Sequence, residues 1–156
     1  MTDKKIIFVG CDPGQSGGFV ALDENRIVLD VFKTPPDRVS FINKMNELSR
    51  VGNLFLVKER VHSQPKHGGK ANFTFGYNIG VLETCLTISK IPFQDITPQT
   101  WMKTFMLKKE KGETGSSWKN RIKNKAQELF PNQKVTLWNA DAFMIAEFCR
   151  RTISVK

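Results

Sequence analysis

The chain has 156 residues, 40% hydrophobic and 25% charged, the composition of one ordinary globular domain spanning residues 1–156 rather than of a disordered tail or a fibre. Lys and Arg number 24 against 15 Asp and Glu, a net charge of +9 that favours a polyanionic partner such as nucleic acid. Cys11, Cys85 and Cys149 are far apart and form no CxxC pair, which excludes a disulfide scaffold and a cysteine-type zinc site and reads as buried free thiols in a reducing compartment. The start "MTDKKIIFVG" has no secretory h-region and no stretch approaches a membrane span, so the expected location is the cytoplasm.

In chain order, "KIIFVG" (5–10) is a buried strand, rich in β-branched and aromatic residues. It ends at Cys11 and Asp12, and the chain then turns through Pro13, Gly14, Gly17 and Gly18. Two apolar stretches, 19–22 and 27–32, flank the turn residues Asp23, Glu24 and Asn25 and form a hairpin. The first three strands are thus an antiparallel meander whose first turn is the glycine loop. Pro35 and Pro36 open a helix in which Phe41, Ile42, Met45 and Leu48 recur at helical spacing, and Gly52 and Asn53 end it.

"LFLVKERV" is a second buried strand, followed by the basic loop "HSQPKHGGKA" (62–71). A helix is predicted over 72–89, with Phe75, Ile79, Leu82 and Leu86 on one side and with Gly76 and Gly80 four apart. Each glycine costs a helix about 1 kcal/mol against alanine, so close backbone packing is expected there. "IPFQDITP" is a short strand and Pro98 begins the helix "PQTWMKTFM". A charged loop over 107–117, the helix "SWKNRIKNKAQELF" and a last helix from Asn139 to Arg151 complete the chain. The order β-β-β-α-β-α-β-α-α-α gives an α/β fold: a mixed five-stranded sheet, three antiparallel strands then two parallel, with helices on both faces.

Three acids stand where such a fold gathers chemistry. Asp12 leaves the carboxyl end of the first strand, and Glu59 lies near the end of "LFLVKERV" on the face shared by Phe55 and Val57. Asp141, in "WNADAFMIAEFCRR", follows the natural N-cap Asn139 and shares a helix side with Ile145 and Phe148. Two readings stand for each end of the set. Asp12 either starts a hairpin turn or holds a cation, and Asp141 either favours the helix dipole or joins a site. Three acids buried together repel one another and lose hydration, and a divalent cation relieves both. Oxygen-only ligands suit Mg²⁺ or Mn²⁺, and with a basic chain they suggest phosphodiester hydrolysis.

"CDPGQSGG", "VKERVHSQP", "FTFGYNIGVLETCL", "TPQTWMKTF", "KNRIKNKAQELFP" and "NADAFMIAEF" occur in the order found in RuvC-type Holliday junction resolvases, and the chain resembles the small phage branch over about residues 6–150. The resemblance implies a ribonuclease H-like fold and a homodimeric, Mg²⁺-dependent endonuclease that cuts four-way DNA junctions by paired nicks, located in a bacterial host's cytoplasm. It implies metal ligation by Asp12, Glu59 and Asp141, and a role for Lys119 at the scissile phosphate. His62 falls where bacterial members carry an aromatic that stacks on junction bases. The family's final motif usually holds a fourth acid where this chain has Trp138. Asn139 is the nearest oxygen donor, and Glu147 lies off the Asp141 side, so one or two ions per subunit are expected.

Residues 102–125 hold Lys103, Lys108, Lys109, Lys111, Lys119, Arg121, Lys123 and Lys125 against Glu110 and Glu113, a net +6 in one segment. Such a stripe tracks phosphates, and Lys66, His67 and Lys70 would flank the acids from the other loop. The Gly76–Gly80 helix is the candidate dimer interface, with packing against the sheet as the other reading. The glycines behind Asp12 are expected to clear space for a phosphate. Two other functions stay open: a branched-DNA binder with weak or lost nuclease activity, and a broader flap and branched-DNA nuclease that does not insist on four-way junctions. The glycine turn also resembles the phosphate loop of actin-like kinases and ATPases, whose two-domain requirement a chain of 156 residues is not expected to meet.

Overall fold

A computed structural model describes residues 5–14, 16–63, 66 and 68–153. Three strands come first: β1 (Ile6–Cys11), β2 (Gly18–Leu22) and β3 (Val28–Lys33). Helix α1 (Arg38–Val51), strand β4 (Asn53–Glu59), helix α2 (Gly69–Ile88) and strand β5 (Phe93–Ile96) follow, then helices α3 (Pro98–Thr104), α4 (Gly115–Leu129) and α5 (Ala140–Thr152). The expected order is observed element for element.

The sheet runs β3-β2-β1-β4-β5, with β2 antiparallel to both β1 and β3, and with β4 parallel to both β1 and β5. Strand alternation divides the core into two layers. Phe8, Val20, Leu22 and Val57 pack with Trp101, Ile122, Phe143 and Met144 beneath α3, α4 and α5. Ile7, Val9, Cys11, Leu54 and Leu56 pack with Phe41, Met45 and Leu86 beneath α1 and α2. All three cysteines are free and buried, and burial pushes the Cys149 thiol up to about 12.

Helix ends differ from expectation by a few residues, each for a local reason. Pro35 and Pro36 precede α1 rather than open it, because Asp37 is the cap and its carboxylate accepts from Ser40 N–H at 2.9 Å. Helix α4 begins at Gly115, earlier than expected, because Thr114 caps Ser117 N–H at 3.2 Å. Asn139 occupies the N-cap position of α5 but its side chain makes no cap bond.

Contact between α5 and β1 places the site. A Cβ on Gly10 would stand 2.2 Å from Ala146 N and 2.4 Å from Ala142 O, so the helix backbone lies directly on the strand. Only glycine on the strand, facing two alanines on the helix, permits that approach. Residues 8, 10 and 12 share the α5 side of β1 by alternation. Among the described residues, no helix is long and apolar enough to cross a membrane.

Candidate active site

Parallel register places Gly10 opposite Val57 and Cys11 opposite Lys58. The next step brings Asp12 opposite Glu59, both on the α5 side and both at carboxyl ends of strands. Asp141 enters from the first turn of α5. The three acids that the sequence singles out therefore lie toward the same end of the sheet, at the carboxyl ends of its central strands β1 and β4 and the start of α5.

All three carboxyls are raised above their usual range. Burial pushes the Asp141 carboxyl up to about 7, helped by the charges of Asp12 and Glu59 and opposed by Lys119. Burial also raises Asp12, against a hydrogen bond from Gly14 N–H at 3.4 Å and the Lys119 ammonium. Glu59 is raised by burial and by Asp12, and is held down in part by the indole of Trp101. Trp101 Nε1–H donates to Glu59 Oε2 at 2.8 Å. Lys119, exposed just past the first turn of α4, thus lies within electrostatic reach of two of the acids.

Such a site is short of positive charge. Its donors are all carboxylate oxygens, a set that suits a hard divalent cation such as Mg²⁺ or Mn²⁺. Among the described residues no three His, Cys, Asp or Glu side chains already stand close enough together to hold one.

Two neighbours correct the expected site. Asn139 is buried, and its Oδ1 accepts from Thr136 N–H at 2.7 Å and from the Thr136 hydroxyl at 3.2 Å, while Nδ2 donates to Lys134 C=O at 3.2 Å. That side chain ties the 134–139 turn together and has no free amide oxygen for a metal. Trp138 lies over Gly18, where an added Cβ would come within 2.6 Å of the ring, and Lys33 sits 5.5 Å from the ring centroid. The fourth-acid position is thus taken by packing against the outer strands. Glu147 is fully buried but paired with Arg150 at 2.8 Å and Arg151 at 2.7 Å.

The glycines behind Asp12 serve the turn itself. A Cβ on Gly17 would fall 2.3 Å from Asp12 C=O, and Asp12 N–H donates to Gly18 C=O at 3.0 Å. The loop folds back on its own aspartate, so glycine is demanded there before any ligand arrives.

The basic segment lies on α3, α4 and the loop between them. Lys103, Lys108, Lys109, Lys111 and Lys119 are exposed and make no ion pair among the described residues, and neither does Lys123. Arg121 is committed elsewhere: it pairs with Glu113 at 2.9 Å and holds the loop by donating to Lys108 C=O at 3.3 Å. Lys125 pairs with Glu128 at 3.1 Å. His62, Lys66 and Lys70 are exposed, and His67 lies outside the described residues. A Cβ on Gly76 or Gly80 meets nothing within 4 Å, so neither glycine packs against the sheet. Phe73 and Tyr77 of the same helix are exposed.

No family model and no curated protein sequence matches the chain. Among solved structures, Thermus thermophilus RuvC in complex with Holliday junction substrate aligns with a TM-score of 0.58 at 14% identity, over 92% of this chain and 90% of that one. A second Thermus thermophilus RuvC structure aligns with a TM-score of 0.51 at 13% identity, over 91% of this chain and 90% of that one. The likeness is one of fold: this chain has the RuvC-like, ribonuclease H-like arrangement of sheet and helices.

Proposed function

We propose that the chain is a divalent-cation-dependent endonuclease of the small phage RuvC type, one nuclease domain that cuts four-way DNA junctions by paired phosphodiester hydrolysis. The observation that carries the reading is the convergence of Asp12, Glu59 and Asp141, with raised pKa values, beside a strongly basic surface. Asp12, Glu59 and Asp141 would hold Mg²⁺ or Mn²⁺. Ions bound there supply Lewis-acid activation of the phosphodiester and of water. Lys119 meets the charge that develops on the scissile phosphate. Exposed Lys103, Lys108, Lys109 and Lys111 and half-buried Lys123 bind flanking phosphates, with Lys66, Lys70 and His62 on the other side. A homodimer through the exposed α2 face at Gly76 and Gly80 would set two sites at the separation that a two-fold junction demands. With Asn139 occupied and Trp138 packed on Gly18, a second ion has few protein ligands, and activity is expected to need high Mg²⁺ or Mn²⁺.

That same scarcity favours one second reading, a branched-DNA binder with little nuclease activity. Labelled four-way, three-way and linear DNA, incubated with Mg²⁺ or Mn²⁺ beside Asp12→Asn, separates them. Paired nicks in the four-way substrate, absent in the variant, support the resolvase. Equal cutting of three-way DNA broadens it to a branched-DNA nuclease. Binding without cutting under either metal overturns the nuclease reading.

A further inference from the structure

Glu59 has one more rotatable bond than the two aspartates and stands at a strand end. Its backbone is nevertheless held firmly. Arg60 N–H donates to Ile96 C=O at 2.6 Å. The neighbouring Lys58, itself fully buried, bridges Glu83 on α2 and Asp95 on β5 at 2.7 Å each. What remains free is the carboxylate head. Among the described residues one group restrains it: the Trp101 indole, fully buried in the cluster that includes Ile96, Phe105 and Ile122. Thr97 caps α3 one turn before Trp101, so the ring is fixed at its base as well.

We propose that Trp101 is the positioning residue of Glu59: its indole N–H holds one carboxylate oxygen and so fixes the direction in which the other is presented to a cation. The inference rests on the metal-site reading above. Two chemical points carry it. An indole N–H donates and never accepts, so it orders a carboxylate without ambiguity. It is also neutral. A lysine or arginine in its place would hold Glu59 equally well but would cancel the charge that a divalent ion needs. A plain aromatic would fill the core but leave the carboxylate free to turn, so the donor matters for the acid.

The wild-type chain tests this without a variant. Its three tryptophans give three indole signals in a proton–nitrogen correlation spectrum. Mg²⁺ titration of DNA-free protein is expected to shift the Trp101 indole signal together with the backbone signals of Asp12 and Asp141, with one midpoint. Trp101→Phe assigns that signal by its loss. The folded variant is expected to bind Mn²⁺ roughly 10–100-fold more weakly, as loss of a partner behind a ligand does, while junction affinity in EDTA stays within about twofold, since that affinity is set by phosphate contacts. Movement of the Asp12 and Asp141 signals with a still Trp101 indole overturns the proposal, as does unchanged Mn²⁺ affinity in Trp101→Phe. If none of these signals responds to Mg²⁺, the metal site itself is refuted and the proposal falls with it.

Discussion

Asp141→Asn removes a charge that the metal-free fold must hold beside two others, and it should make the protein more stable while abolishing its chemistry. The Asp141 carboxyl rises from 3.8 to about 7 on folding, through burial and the charges of Asp12 and Glu59. An acid whose folded pKa is raised keeps its proton in the folded state over a range where the unfolded chain has lost it. Stability from this group is therefore full below pH ~4, falls as pH rises, and is lost above pH ~7. The span is roughly 3 pH units at ~1.4 kcal/mol each, about 4 kcal/mol in all. Counter-ions and small movements of the side chains reclaim part of it, leaving an expected gain of about 2 kcal/mol for Asp141→Asn at pH 8 in EDTA. For a chain of this size that is a rise in Tm of roughly 4–8 °C. The assay is thermal or urea unfolding of both proteins at pH 5.5 and pH 8, with EDTA or with Mg²⁺. Wild type should lose stability between the two pH values in EDTA and regain it with Mg²⁺, and Asp141→Asn should show both changes to a smaller extent, because burial still raises Asp12 and Glu59. Carboxylates held below their usual range, such as Glu147 beside Arg150 and Arg151, are ionised throughout this window and do not mask the effect. A variant no more stable than wild type at pH 8 in EDTA, or a flat wild-type profile, refutes the reasoning.

Other expectations follow from single contacts. Gly10→Ala drives a methyl into the Ala142–Ala146 backbone at 2.2–2.4 Å. It should cost 3 kcal/mol or more, about the upper end for overpacking because backbone cannot step aside, as urea unfolding would show. Glu83→Gln combined with Asp95→Asn strands the buried Lys58 ammonium and should cost about 3–5 kcal/mol. Lys58→Met instead leaves two half-exposed acids that water can reach, so it should cost less than the double variant in the same assay. Replacing Lys108, Lys109 and Lys111 by alanine should weaken junction binding and flatten its salt dependence by about 3 in log–log slope, roughly 0.9 for each phosphate no longer neutralised, with no change in Tm. An unchanged slope would remove that loop from the DNA surface.

The fold was legible because each strand and helix carries its own periodicity and its own stop. Alternation puts Glu59 on a face with Phe55 and Val57, and the parallel register then sets it level with Asp12. What escaped the sequence was the choice of partner by side chains that have several on offer. Asn139 looks like an oxygen donor until Thr136 N–H claims it. Arg121 counts as a free cation until Glu113 appears eight residues away, across the start of α4. Gly17 looks like room for a phosphate, yet the clash it avoids is with Asp12 itself. Trp101 is plain within "TPQTWMKTF", but its contact with Glu59 spans 42 residues and no local pattern signals it.

The two acids at positions 141 and 147 of α5 make the strongest contrast in the molecule. Both belong to a helix pressed against β1, and both lose water on folding. Glu147, the more deeply buried, is met by two guanidinium groups, and its carboxyl falls below the usual range despite burial. Asp141, in the first turn of the same helix, is raised by burial and by the charges of Asp12 and Glu59, against Lys119. The chain therefore has the means to neutralise a buried acid on this helix and uses them at one position only. Gly10, Ala142 and Ala146 let α5 lie directly on β1, the strand that Asp12 leaves. Selection for stability alone would place a neutral side chain at 141. An unneutralised acid at that position is what the proposed cation site would need before a cation arrives.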